Sequence, residues 1–164
     1  MGMQYDVKAA HLNASGIAYI GRTRLKGFLT VGSATAGVVN IWDSTAAALG
    51  GTYSRTGNTV TVTVTSHNLA NGQAFGFAAS TGNASSGNFT VASVANANAF
   101  TFTDTLNSGS TTGNCGINTR WLLSFDTANN QAETYILLPG EGILAQNGLY
   151  LGLANQVSMT VFYG

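Results

Sequence analysis

The stretch Glu133-Thr-Tyr-Ile-Leu-Leu-Pro-Gly-Glu-Gly-Ile-Leu-Ala-Gln-Asn-Gly-Leu-Tyr-Leu-Gly-Leu-Ala-Asn-Gln-Val-Ser-Met-Thr-Val-Phe-Tyr-Gly164 decides the fold. Its short apolar runs are separated by Pro139-Gly140, Asn147-Gly148 and Ala154-Asn155-Gln156. Proline pre-sets φ and glycine accepts positive φ, so these dipeptides read as turns between strands. In the last run Val157, Met159 and Val161 alternate with Ser158, Thr160 and Phe162, the period of a half-buried strand. The chain is therefore expected to end inside a sheet.

Composition agrees. Only 7% of the 164 residues are charged, against roughly a quarter in ordinary domains. The apolar fraction is 45%, so Gly, Ser, Thr and Asn stand where charges would be. Twenty-one glycines and a single proline suit many turns and few helices. The formal net charge is zero, which argues against nucleic acid as the main partner, since phosphate binding needs a basic excess. Such a surface favours association with other protein. No apolar run reaches the roughly 18 residues of a membrane span, and no membrane partner is expected. The first residues show no basic segment followed by an apolar core, so no signal peptide is expected. One cysteine, Cys115, allows no internal disulfide.

Working outward, short strands are expected near Tyr5 to Lys8 and Ile17 to Ile20, then a long one from Arg22 to Gly32. Arg22, Arg24 and Lys26 sit at i, i+2 and i+4, which places three cations on one strand face. That row reads either as a solvated, edge-protecting face or as a docking stripe for an acidic surface. Gly37 to Asp43 is a further strand, with Val39, Ile41 and Asp43 on one face and Val38, Asn40 and Trp42 on the other. Thr45 to Leu49 is alanine-rich enough for one helical turn before Gly50-Gly51 stops it.

Between Tyr53 and Cys115 the texture changes. Thr59-Val-Thr-Val-Thr-Val-Thr65 alternates strictly, with valines inward. Further strands follow at Gln73 to Ala78, Asn88 to Val94 and Ala99 to Thr103, joined by the His67-Asn-Leu-Ala-Asn-Gly72 turn and a Gly/Asn/Ser loop. Val60, Val62, Val64, Phe75, Phe77, Phe89, Val91, Phe100 and Phe102 form the apolar face of this four-stranded unit. Ser108 to Gly116 reads as a flexible return. The expected fold is all-β: a sandwich or jelly-roll-like body from residues 1–52 and 116–164, with a small four-stranded β unit, residues 53–115, inserted.

Residues 57–104 resemble a small β-module common in tailed-phage virion proteins. The likeness lies in Thr-Val-Thr-Val-Thr-Ser-His-Asn-Leu-Ala-Asn-Gly-Gln73, Gly-Asn-Phe-Thr-Val-Ala-Ser-Val94 and Ala-Phe-Thr-Phe-Thr103. Asn68 stands where those modules carry glycine, which predicts a shifted or distorted turn. The flanking Leu-Pro-Gly-Glu-Gly-Ile143 and Thr-Val-Phe-Tyr-Gly164 look similar to small β-rich phage head proteins. The resemblance implies a virion structural protein, located at the capsid surface and oligomeric as a homotrimer. As a cement or decoration protein it would seat on the major capsid protein, with Arg22, Arg24 and Lys26 as the candidate capsid-docking residues. A tail-side tube, adaptor or fibre component is the alternative. So is a carbohydrate-binding adhesin that stacks sugars on Trp42, Trp121, Tyr53 or Tyr150.

No catalytic, cofactor-binding or metal-binding residues are expected, and no enzyme. His11 and His67 have no acid beside them in sequence, and nucleophilic catalysis needs a base placed on its nucleophile. His67 falls in a turn and reads as structural. Asp6, Asp43, Asp104, Asp126, Glu133 and Glu141 are scattered, without the paired spacing of a glycosidase or the density of a calcium loop. Asp126-Thr-Ala-Asn-Asn130 is at most a weak ion site, and Cys115 is read as incidental.

Overall fold

A computed structural model describes residues 7–164. Every regular element among them is a strand. In chain order these are β1 (Lys8–Leu12), β2 (Gly16–Ile20), β3 (Thr23–Gly32), β4 (Gly37–Asp43), β5 (Leu49–Thr56), β6 (Thr59–Thr63), β7 (Ala74–Ala79) and β8 (Gly87–Asn96). After them come β9 (Ala99–Thr103), β10 (Thr111–Asn118), β11 (Trp121–Thr127), β12 (Glu133–Leu137), β13 (Ile143–Ala145), β14 (Gly148–Ala154) and β15 (Gln156–Tyr163). The all-β reading stands. Of the opening strand expected at Tyr5 to Lys8, residues 5 and 6 lie outside the described residues, and β1 begins at Lys8.

The chain divides into two compact units. One holds Ala48–Leu123; the other holds the described residues up to Ala47 with Ser124–Gly164. The second boundary falls within β11.

The discontinuous unit is a β-sandwich-like body. One sheet has the order β1-β15-β3-β12, with β13 also on β3; the other has the order β11-β4-β14-β2. Each of the runs read from Glu133 onward is a strand, and two of the three turns use a glycine or asparagine at positive φ: Gly140 at 61° and Gly142 at 73°, then Asn155 at 55°. On β15 Met159 and Val161 are fully buried, as period two requires, whereas Val157 is 47% exposed. A register shift between Gln156 and Ser158 removes Val157 from the alternation. Inner-face rings join the sheets: Phe28 of β3 stacks on Phe125 of β11 at 4.6 Å, and Tyr19 of β2 meets Tyr163 of β15 at 4.8 Å.

The continuous unit is a closed barrel in the order β10-β5-β6-β9-β8-β7. It therefore closes with six strands where four were expected, and it begins at Ala48 and ends at Leu123 instead of running 53–115. Two segments account for the difference. Leu49 to Thr52 extends β5, and the expected flexible return is largely β10, which pairs with β5 on one side and β7 on the other. Closure satisfies the backbone on both sides of β10 whatever its side chains are, so a Gly/Thr/Asn run becomes a strand. Gly113 is needed there: a Cβ would run into the Thr81 carbonyl and the Tyr53 ring. The expected helical turn at Thr45 to Leu49 is absent as well. Ser44 Oγ accepts the Ala46 N–H at 3.0 Å, which holds the backbone in a serine turn before β5.

The barrel interior is the anticipated apolar face enlarged by the two added strands. Val60, Val62, Val64, Phe75, Phe77, Val91, Phe100 and Phe102 are buried with Tyr53, Cys115 and Ile117, and Phe89 packs against them half-buried. Phe75 stands edge-on to Phe100 at 5.1 Å and to Phe102 at 5.4 Å. Such pairs add about 0.5–1.5 kcal/mol each beyond burial.

Candidate functional site

The strand β3 was expected to present Arg22, Arg24 and Lys26 as one row, and the structure gives the three different settings. Arg22 lies before β3, just after Gly21 at φ 111°, and is exposed. Arg24 is half-buried on β3. Lys26 turns to its own chain: its ammonium donates to the Glu141 carbonyl at 3.1 Å and lies 3.6 Å from Glu141 Oε2. The Glu141 side chain is 82% exposed, so this pair contributes little to stability.

His67 is 5% exposed and fully engaged. The Leu69 N–H donates to Nδ1 at 3.0 Å, Nε2 donates to the Asn96 carbonyl at 3.0 Å, and the ring stands edge-on to Phe100 at 4.9 Å. This is a turn lock in the barrel, in keeping with the structural reading. Ser66 and Asn68 on either side adopt φ of 53° and 54°. Asn68 thus takes the left-handed conformation that glycine would, because asparagine tolerates it better than most residues. His11 is exposed, with Nδ1 2.8 Å from Thr160 Oγ1 and no acid joined to it among the described residues. Among the described residues no three of His, Cys, Asp and Glu gather as metal ligands would.

Of the four aromatic residues named as stacking platforms, Trp42 is 1% and Tyr53 2% exposed. The Tyr53 hydroxyl is occupied too, donating to the Thr81 carbonyl at 2.7 Å and accepting the Ala84 N–H at 3.1 Å. Trp121 and Tyr150 are half-buried.

Sequence reading treated the acids as scattered turn residues and missed two buried ones. Asp104 is fully buried and paired with Arg55. Asp43 is 1% exposed, and its carboxylate accepts backbone N–H groups from Gln146 at 2.9 Å, Asn147 at 2.7 Å and Gly148 at 3.3 Å. It thereby fixes the β13–β14 turn. The available signal was position: Asp43 ends β4 and Asp104 directly follows β9, where an acid can cap the backbone of a neighbouring turn. Both sites are structural.

One outward feature is a face of the first sheet. The register sets Leu137 and Phe162 on either side of Gly27, and Tyr135 and Thr160 on either side of Leu29. Tyr135 is 57% and Leu137 64% exposed, and the Tyr135 ring lies edge-on to Phe162 at 6.1 Å. They stand on β12, which ends the sheet order. An apolar patch on a sheet-edge strand is a natural surface for association.

No protein-family model matches the chain, and no curated protein matches it.

Proposed function

We propose that the chain is a non-enzymatic structural protein of a tailed-phage virion, of the capsid-decorating type, working as a homotrimer on the major capsid protein lattice. The observation that carries the reading is the barrel: the motif segments of residues 57–104 that resemble the virion module fold together, around a turn in which both His67 ring nitrogens are bonded internally. A low charge density and the exposed Tyr135/Leu137 edge support association as the mode of action. Seated across several capsid subunits, the protein would stabilise the assembled lattice because it binds that state alone. The burial of Trp42 and Tyr53 counts against sugar stacking.

The direct test is cryo-electron microscopy of the virion with this protein located. Density on the capsid exterior at symmetry-related sites is expected; a ring around the tail channel would assign it to the tail instead. A biochemical test accompanies it. Reversing Arg22 and Arg24 to Glu should leave the free oligomer intact and weaken attachment to empty capsids, more so at low salt. Equal decoration by the double variant would show that those arginines do not seat the protein on the capsid.

A further inference from the structure

The sandwich body has a cleft of about 250 Å³ lined by Lys8, Tyr19, Arg22, Thr23, Tyr163 and Gly164. It sits where β1 and β3 start and β15 ends in one sheet, and β2 of the other sheet adds Tyr19. The floor is firm: Tyr163 and Thr23 are each 8% exposed, and Tyr163 packs on Tyr19 across the sandwich. Reciprocal backbone hydrogen bonds between Arg24 and Gly164, both 3.1 Å, tie the end of β15 to β3. The rim is cationic. Lys8 and Arg22 are exposed, and neither joins an ion pair among the described residues. In a chain with only six cationic side chains, two on one small cleft that join no ion pair among the described residues are a concentrated feature.

We infer that this cleft is an oxyanion site whose ligand is the carboxylate of an acidic side chain on a protein partner. A guanidinium and an ammonium that line one concave site can supply charge-assisted donors, and partial enclosure makes them stronger than they are on open surface. A protein source fits better than a nucleic acid one, because the chain as a whole carries no basic excess to hold a phosphate backbone. The site involves Arg22 and Lys8 and needs neither Arg24 nor the virion assignment, so it stands or falls separately from the function proposed above.

The test is an NMR titration of the whole chain with an acetylated, amidated hexaglutamate peptide, with hexaglutamine and inorganic phosphate as comparators. Saturable shifts confined to the cleft residues are expected with hexaglutamate. They should weaken with added salt and be absent with hexaglutamine. Lys8→Gln and Arg22→Gln should each weaken binding about tenfold, the loss expected for one charge-assisted contact, and Arg24→Gln less than about twofold. Both cleft substitutions are at exposed positions, and the charge-retaining Arg22→Lys provides a check should Arg22→Gln lose its fold. Four results would overturn the proposal: no saturable shift, shifts centred elsewhere, tighter binding of phosphate than of the peptide, or insensitivity to both cleft variants. Binding seen only after the chain is extended past Gly164 would likewise overturn it, by assigning the cations to the chain's own end.

Discussion

The Arg55 guanidinium meets the Asp104 carboxylate at 2.7 Å inside the barrel unit, with both side chains at 0% exposure. Nothing in the pair is left over. Arg55 also donates to the carbonyls of Gly57 at 2.8 Å, Asn83 at 3.2 Å and Asp104 at 3.0 Å. Asp104 in turn accepts N–H bonds from Ser85 at 2.8 Å and Leu106 at 3.0 Å. The pair thus holds the 81–86 loop and the segment after β9 to the barrel. Removing one member of such a buried pair strands the other charge, at a cost of about 3–5 kcal/mol. Asp104→Ala or Arg55→Ala should lower the urea unfolding free energy by that amount. The double variant should cost less than the sum of the two. Strict additivity in the cycle would mean that the ion pair is not the coupling.

Acid should unlock the same contact. Burial pushes the Asp104 carboxyl up, but the Ser85 and Leu106 N–H bonds and the Arg55 charge outweigh it and leave the group below its ordinary 3.8. With a folded value below the unfolded one, about 3.9, its contribution is complete above about pH 4 and fades as pH falls through the folded value. Urea midpoints measured across this range should drop for the native chain, with a smaller acid-dependent loss for Asp104→Asn. Identical slopes would assign the acid sensitivity to other carboxylates.

Cys115 should behave as a silent thiol. It is 4% exposed on β10 in the barrel core, and burial pushes its pKa up to about 12. The thiolate is the reactive form, so a disulfide reagent at pH 8 should leave the folded chain unlabelled and label it stoichiometrically in urea. The linked stability runs opposite to that of Asp104: it is complete below the unfolded thiol value, about 8.5, and declines as pH rises from there toward the folded value. Rapid labelling under native conditions would mean that β10 opens readily.

Asp43→Ala should be among the most damaging single changes in the sandwich body. It withdraws both carboxylate oxygens, Oδ2 from the Gln146 N–H and Oδ1 from those of Asn147 and Gly148. Gly148 is buried while Gln146 and Asn147 are exposed, and a donor left buried and unpaired costs about 1–3 kcal/mol. Thermal melts should show the loss, and Asp43→Asn should recover part of it by keeping one acceptor oxygen.

How much was legible in advance depended on what specified each strand. Thr59 to Thr65 and Val157 to Phe162 announce themselves because one face of each is apolar at period two, and their turns carry Gly or Asn where φ is positive. β10 does not. Thr111-Thr-Gly-Asn114 has no apolar alternation, and its strand character comes from β5 and β7 on either side, a tertiary fact. Of the candidate stripe, Arg24 and Lys26 alternate outward on β3 with Thr23 and Leu25 buried, and only Arg22 falls outside the strand. Period-two spacing sets a face only inside a strand, and Arg22 precedes β3. Lys26 found a local partner, Glu141, far away in sequence. Arg55 and Asp104 looked like two stray charges because nothing local signals that strand pairing will bring them together.

A deletion can test the unit boundaries. Replacing residues 49–118 with a short Gly-Ser link should leave a folded body, since β11 is kept whole for its pairing with β4. Replacing only residues 53–115 should fold less well, because it leaves the start of β5 and the end of β10 as remnants without their neighbours. Circular dichroism and sedimentation of the two products distinguish the cases. Collapse of the first product would show that the body's core depends on the barrel.

The order of pairing in the body sets a timetable for synthesis. β1 is hydrogen-bonded to β15, β2 to β14, β3 to β12, β13 and β15, and β4 to β11 and β14. No two of the first four strands pair with each other. As the chain leaves the ribosome, those four must therefore wait, unzipped, while the barrel strands emerge and close on themselves. Only the final turns and strands release them from waiting. Until then Phe28, Val39 and Ile41 lack the partners that bury them. Non-local pairing of this kind is slow and leaves sticky intermediates exposed. A stalled or truncated product lacking β14 and β15 should thus aggregate through its first strands while its barrel is already complete.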